Sequence, residues 1–170
     1  SGWRARRTLD EELREQGVVG ISGIDTRALT RHLRERGAMR VGISSTETDP
    51  AELLARVRES GEMAGAELAS EVSTQEAYVV PAIGERRYTV AALDLGIKSM
   101  TPYRMAERGI EVHVLPATAS LDDIRAVAPD GLFYSNGPGD PAATTHQVEV
   151  LRGALDAGLP YFGICFGNQL

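Results

Sequence analysis

The chain has 170 residues, of which 42% are hydrophobic and 25% charged, with a formal net charge of −6. This is globular composition, enough for one ordinary domain or two small ones, and it excludes disorder as the dominant state. The acidic balance argues against nucleic acid or an anionic membrane as main partner, and no apolar run approaches the roughly 20 residues of a bilayer span.

In chain order, Arg4, Arg6 and Arg7 form a short basic run that reads as a solvated terminus. Asp25 predicts an N-cap for a helix over Thr26 to Arg36, with Leu29 and Leu33 one turn apart and Gly37 as a left-handed stop. A short strand is expected around Arg40 to Ile43. Asp49, Pro50 and Glu52 open a second helix with Leu53, Leu54 and Val57 on its apolar face and Gly61 closing it. Residues 71–87 read as a connector punctuated by Pro81 and Gly84, with Glu76 to Val80 extended inside it.

From Tyr88 the rhythm changes to alternating strands and helices. Tyr88 to Leu93 is a short apolar run, as in a strand buried on both faces. A helix within Lys98 to Arg108 follows, started by Thr101–Pro102 and stopped by Gly109. Then come a strand Ile110 to Leu115, a helix Leu121 to Val127 behind the Ser120/Asp123 cap pair, and a strand Gly131 to Tyr134. After the loop Ser135 to Pro141, a helix runs from about Ala143 to Ala157 with Val148, Leu151 and Leu155 on one face. Strand Pro160 to Ile164 ends at Cys165. Four strands alternating with three helices predict an α/β fold, a parallel sheet flanked by helices. The expected organisation is a smaller domain over 1–70, the connector 71–87, and the α/β domain over 88–170. The chain starts at Ser1 and stops at Leu170 within what reads as the first turn of a helix, so it is expected to be a piece of a longer protein.

In open parallel sheets ligands bind beyond the carboxyl ends of the strands. Two unusual segments fall there: Ser135-Asn136-Gly137-Pro138-Gly139-Asp140-Pro141 and Gly163-Ile164-Cys165-Phe166-Gly167-Asn168-Gln169. Small residues two before and two after a nucleophile permit a sharp strand-to-helix turn that lifts the sulfur clear of the backbone. A helix start also favours thiolate, and the Phe166 N–H points toward an oxyanion formed by sulfur attack. The bland reading is a buried structural thiol; the flanking glycines favour the elbow. The Gly-Pro-Gly loop reads either as an ordinary connection or as bare backbone offering N–H groups to a ligand. A single cysteine builds no internal disulfide framework and no cysteine-rich zinc site. With no signal-peptide pattern at the start, a reducing, cytoplasmic setting fits best.

Asn136-Gly137-Pro138-Gly139 together with the Cys165 segment resembles the class I, or triad, glutamine amidotransferases, whose nucleophile segment usually reads Gly-Ile-Cys-Leu-Gly-His-Gln. This chain departs from it at Phe166 and Asn168. Phe166 keeps its backbone N–H, and the histidine that Asn168 replaces is not the catalytic one. The run Gly23-Ile24-Asp25-Thr26-Arg27-Ala28-Leu29-Thr30-Arg31, with Leu33-Arg34 and Gly37-Ala38-Met39, is similar to the N-terminal domain of the carbamoyl-phosphate synthetase small-subunit family. So is Leu93-Asp94-Leu95-Gly96-Ile97-Lys98.

The resemblance implies a flavodoxin-like amidotransferase domain preceded by part of a smaller α+β domain. It implies that Cys165 attacks the side-chain amide of L-glutamine, that Gly137 and Phe166 form the oxyanion hole, and that Gly137, Gly139, Phe166 and Gln169 hold the glutamine. Ammonia would pass to a large subunit that uses ATP, magnesium and bicarbonate to make carbamoyl phosphate for arginine and pyrimidine biosynthesis. This chain itself would hold no metal or cofactor. The family takes its base from a His-x-Glu pair well downstream. None of the three histidines here, His32, His113 and His146, is followed two residues later by Glu. The 170 residues alone are therefore expected to be inactive. Three other readings remain: the glutaminase component of a different synthase, a partner-docking domain without catalysis, and a hydrolase or peptidase on the same flavodoxin-like sheet with a cysteine elbow.

Overall fold

In the computed structural model, which describes residues 2 and 5–170, the first element is a helix, α1 (Leu9–Glu15). Thr8 and Glu11 cap it reciprocally. Of the basic run, Arg4 lies outside the described residues, while Arg7 pairs with Glu12 and Glu15. Helix α2 (Thr26–Arg36) has the predicted bounds; the Asp25 carboxylate accepts the Ala28 N–H at 2.9 Å, and Gly37 takes φ 83°. Helix α3 (Pro50–Glu59) starts at Asp49, which accepts the Ala51 N–H, and ends at Ser60 rather than Gly61.

The strand expected at Arg40 to Ile43 does not form. Val41 and Ile43 are exposed without a ladder partner among the described residues. The Arg40 guanidinium instead donates to the carbonyls of Arg58 and Ser60 at the end of α3, and Gly42 lies against Val57 and Leu53. Residues 5–62 contain helices and no strand among those described.

The chain divides into compact units between Glu62 and Met63, earlier than the expected boundary after residue 70. The reason is packing. Ala69 is fully buried in the second unit's core, and the Gly65 N–H donates to Asp140. The expected connector also contains structure. Helix α4 (Ala69–Val72) precedes β1 (Tyr78–Val80), which joins the sheet antiparallel to β3 (Ile110–Pro116). The sheet is thus mixed rather than wholly parallel.

Its other strands are β2 (Tyr88–Asp94), β4 (Gly131–Tyr134) and β5 (Tyr161–Gly163), in the order β1-β3-β2-β4-β5. Tyr88 pairs with Ile110, Leu93 with Tyr134, and Tyr134 with Gly163, all in parallel. The chain leaves β2 toward one edge and β4 toward the other, so strand order reverses between them. That is the crevice where such sheets bind ligands. Pleating divides the core. Leu93, Leu115, Leu132 and Tyr134 pack with α6 (Leu121–Val127) and α7 (Thr145–Asp156). Ala92, Val112, Val114 and Phe133 pack on the opposite face with Met105 of α5 (Met100–Ala106). Burial of Ala91 to Asp94 matches the strand predicted to be covered on both sides.

The inward face of α7 is Gln147, Val150, Leu151 and Ala154, not the predicted Val148, Leu151 and Leu155; Leu155 is 51% exposed. A polar residue takes the first core position because Gln147 Nε2 donates to the Ala117 carbonyl at 3.2 Å. Counting apolar residues alone rotates the face away from it.

At α6 the Ser120 hydroxyl accepts the Asp123 N–H and the Asp123 carboxylate accepts the Ser120 N–H. Ser120→Ala should cost about 1 kcal/mol of stability, read by urea unfolding of the full-length protein. An unchanged midpoint would show that the box contributes nothing.

Candidate active site

Cys165 stands between β5 and α8 (Phe166–Gln169) with φ 53° and ψ −112°, a conformation that costs a non-glycine residue strain. Its side chain is exposed. The turn closes tightly around it. The Ile164 N–H donates to the Tyr134 carbonyl, and the Gly167 N–H donates to those of Ser135 and Ile164. A Cβ on Gly163 would lie 2.4 Å from the Gly167 carbonyl oxygen, and one on Gly167 would lie 2.4 Å from that of Tyr134. The two glycines singled out in the sequence are therefore steric requirements of the elbow. Tyr161 reinforces it by donating its hydroxyl to the Gly167 carbonyl.

The adjacent strand β4 delivers the second segment to the same edge. Gly137 lies so close to the β2 turn that a Cβ there would sit 2.0 Å from the Leu95 carbonyl oxygen. Gly139 takes φ 103°, and a Cβ on it would meet the Ala66 carbonyl at 2.9 Å. Asp140 locks the far end of this loop. Its carboxylate accepts the N–H groups of Gly65 at 2.8 Å and Ala142 at 3.0 Å, and these bonds hold its pKa below the usual carboxylate value. A lowered folded-state pKa means this contribution is present above the unfolded value and lost as pH falls through the folded one. Asp140→Asn should therefore flatten the acid side of the stability profile below about pH 4, measured by unfolding at stepped pH; an unchanged profile would remove Asp140 from the account.

Cys165 and Phe166 thus stand at the carboxyl end of β5, and Gly137 at that of its neighbour β4. Phe166 is buried and opens α8, a position whose N–H has no intrahelical acceptor. Gln169 closes the same single turn and is exposed. Two of the histidines are engaged elsewhere. His113 meets Glu111 at 3.0 Å, and this bond, with Arg86, lowers the Glu111 pKa. His146 reaches the Ala119 carbonyl at 3.2 Å, and His32 lies on α2. No histidine hydrogen-bonds Cys165 among the described residues.

Sequence reasoning passed over Ser135, Asn136 and Asp94 as working side chains. Asp94 is buried and accepts three backbone N–H groups, from Thr74, Gly96 and Ile97. Its signal was present, since an aspartate ending an apolar strand needs partners there. Among the described residues no helix is long and apolar enough to cross a membrane, and no group of three or more His, Cys, Asp or Glu is placed to hold a metal ion.

Against known proteins, the family model "Glutamine amidotransferase class-I" matches residues 91–170, and "Carbamoyl-phosphate synthase small chain, CPSase domain" matches residues 1–43. Carbamoyl phosphate synthase small chains from Streptomyces coelicolor, Mycobacterium tuberculosis (strain H37Rv) and Bifidobacterium longum (strain NCC 2705) are 70%, 55% and 52% identical to it, each over 100% of this chain. The chain spans about half the length of these relatives, 45–46%. Front and back halves point to the same place: the chain is similar along its whole length to carbamoyl phosphate synthase small chains, and its residues 91–170 match the class I glutamine amidotransferases.

Proposed function

We propose that these residues form the nucleophile half of a glutamine amidotransferase site in a carbamoyl-phosphate synthase small subunit. The observation that carries the reading is the strained Cys165 elbow, tied to the start of the Gly137 loop by the Gly167 N–H on the Ser135 carbonyl. Cys165 Sγ attacks the side-chain amide carbon of glutamine. A C–S bond forms, and the developing oxyanion is met by the N–H groups of Phe166 and Gly137. The C–N bond breaks, and the nitrogen leaves as ammonia after taking up a proton. Water then adds to the glutamyl thioester, a C–O bond forms, the C–S bond breaks, and glutamate departs. Gly139 and Gln169 help to hold the substrate.

The proton transfers need a base that no histidine hydrogen-bonded to Cys165 supplies among the described residues. We place it in the remainder of the full-length protein, as the family resemblance implies. The ammonia passes to a large subunit, which uses ATP, magnesium and bicarbonate to make carbamoyl phosphate for arginine and pyrimidine biosynthesis in the cytoplasm. This chain contributes no cofactor.

The test is glutamate release from glutamine by the full-length protein assembled with its large subunit. Turnover coupled to carbamoyl phosphate formation supports the reading. Glutamine left intact, or ammonia delivered to a different acceptor, overturns it. Residues 1–170 alone should release glutamate at least about 100-fold more slowly than the assembly. Comparable rates would place the base within them.

A further inference from the structure

The elbow carrying Cys165 and the loop carrying Gly137 come from different strands, yet oxyanion stabilisation needs them in fixed register. Ser135 is where the two meet. It is fully buried, with every polar group engaged. Its carbonyl accepts the Gly167 N–H at 3.1 Å, which ties it to the elbow two residues past Cys165. Its hydroxyl accepts the Leu95 N–H at 2.9 Å and donates to the Asn136 carbonyl at 2.8 Å, immediately before Gly137. Asn136 adds a second tie, since its Nδ2 donates to the Gly96 carbonyl at 2.8 Å.

The Leu95–Ile97 turn that receives these bonds is itself rigidly held. Asp94 accepts the Gly96 and Ile97 N–H groups at 2.9 and 2.7 Å, and its other oxygen accepts the Thr74 N–H. The turn and loop face each other across the point where strand order reverses, with no room for a side chain on Gly137. Neither Ser135 nor Asn136 has a side-chain bond to the nucleophile. What both side chains do is attach the Gly137 loop to a clamped turn, while the Ser135 carbonyl attaches it to the elbow.

We propose that Ser135, backed by Asn136 and the Asp94-clamped turn, is a positioning residue that sets the Gly137 N–H at the distance from Cys165 required for the tetrahedral intermediate. The proposal rests on the amidotransferase reading. It separates Ser135 from a merely structural role, because losing the tie should weaken the transition state more than ground-state binding or the nucleophile itself.

The experiment compares Ser135→Ala and Asn136→Ala with wild type in the full-length protein assembled with its large subunit. Three quantities are read: kcat and KM for glutamine, and the rate at which iodoacetamide alkylates Cys165. The expected result is a kcat lowered about 10- to 100-fold in Ser135→Ala and less in Asn136→Ala, with KM changed under about threefold. Cys165 alkylation should stay within about twofold of wild type, showing the elbow intact. A kcat near wild type in both variants overturns the proposal. So does alkylation falling in parallel with kcat, which would make Ser135 a support of the elbow alone. Should the wild-type assembly release no glutamate, the amidotransferase reading fails and this inference fails with it.

Discussion

Cys165→Ser in the full-length protein, assembled with its large subunit, should lower glutamine-dependent carbamoyl phosphate synthesis by at least about a thousandfold. Synthesis from added ammonia should stay close to wild type. The asymmetry follows from the division of labour proposed above. In that proposal the sulfur makes and breaks the bond to the glutamyl carbon, and the ATP-dependent steps never touch it. Serine keeps the small side chain that an exposed elbow tip accepts, so the strained backbone at φ 53° is retained while the nucleophile is weakened. Loss of the glutamine- and ammonia-dependent reactions together would mean that the substitution damaged the assembly. Retention of both within tenfold would remove Cys165 from the chemistry.

Gly167→Ala should destabilise the amidotransferase half by about 3 kcal/mol and lower the alkylation rate of Cys165, because overpacking against backbone has no soft way out. Its Cβ would stand 2.4 Å from the Tyr134 carbonyl oxygen and 2.7 Å from the carbonyl carbon behind it. Gly163→Ala drives a methyl against the Gly167 carbonyl at the same 2.4 Å, so the double variant should cost less than the sum of the singles. Gly61 supplies the control. Nothing lies within 4 Å of a Cβ built there, and Gly61→Ala should stay within about 0.5 kcal/mol of wild type. Urea unfolding gives the stabilities. A Gly167→Ala protein as stable as the Gly61 control would mean that the elbow tolerates a side chain at this offset.

Most of the α/β half was legible because its signals are local. The Ser120/Asp123 pair, the apolar run into Asp94 and the terminal Gly158 mark where elements start or stop. Where the reading failed, the deciding partner was distant in sequence. Tyr78 to Val80 is extended as expected, but its place as an edge strand was missed because it depends on the antiparallel register that β3 offers, from Tyr78 against Val114 onward. Residues 40–43 have strand composition but no ladder partner among the described residues, and Arg40 bonds to the end of α3 instead. Helix α1 could have been found, since Thr8 and Glu11 stand at capping-box spacing.

The site divides the same way. Gly163, Cys165 and Gly167 announce an elbow by spacing alone, and the packing explains each of them. Of the clamp behind the loop, only Asp94 left a signal, as a carboxylate ending an apolar strand. Ser135 and Asp94 bond to backbone groups about 20 to 40 residues away, and no spacing rule links a serine to a distant turn. An ordinary-looking loop residue therefore became the joint between the Cys165 elbow and the Gly137 loop.

The most direct measurement is mass spectrometry of the full-length assembly quenched in acid during turnover with glutamine. One glutamyl group attached through a thioester to Cys165 is expected, absent from Cys165→Ser and lost on mild alkaline treatment. Glutamine turnover with Cys165 unmodified, or with the glutamyl group on any other residue, would contradict it.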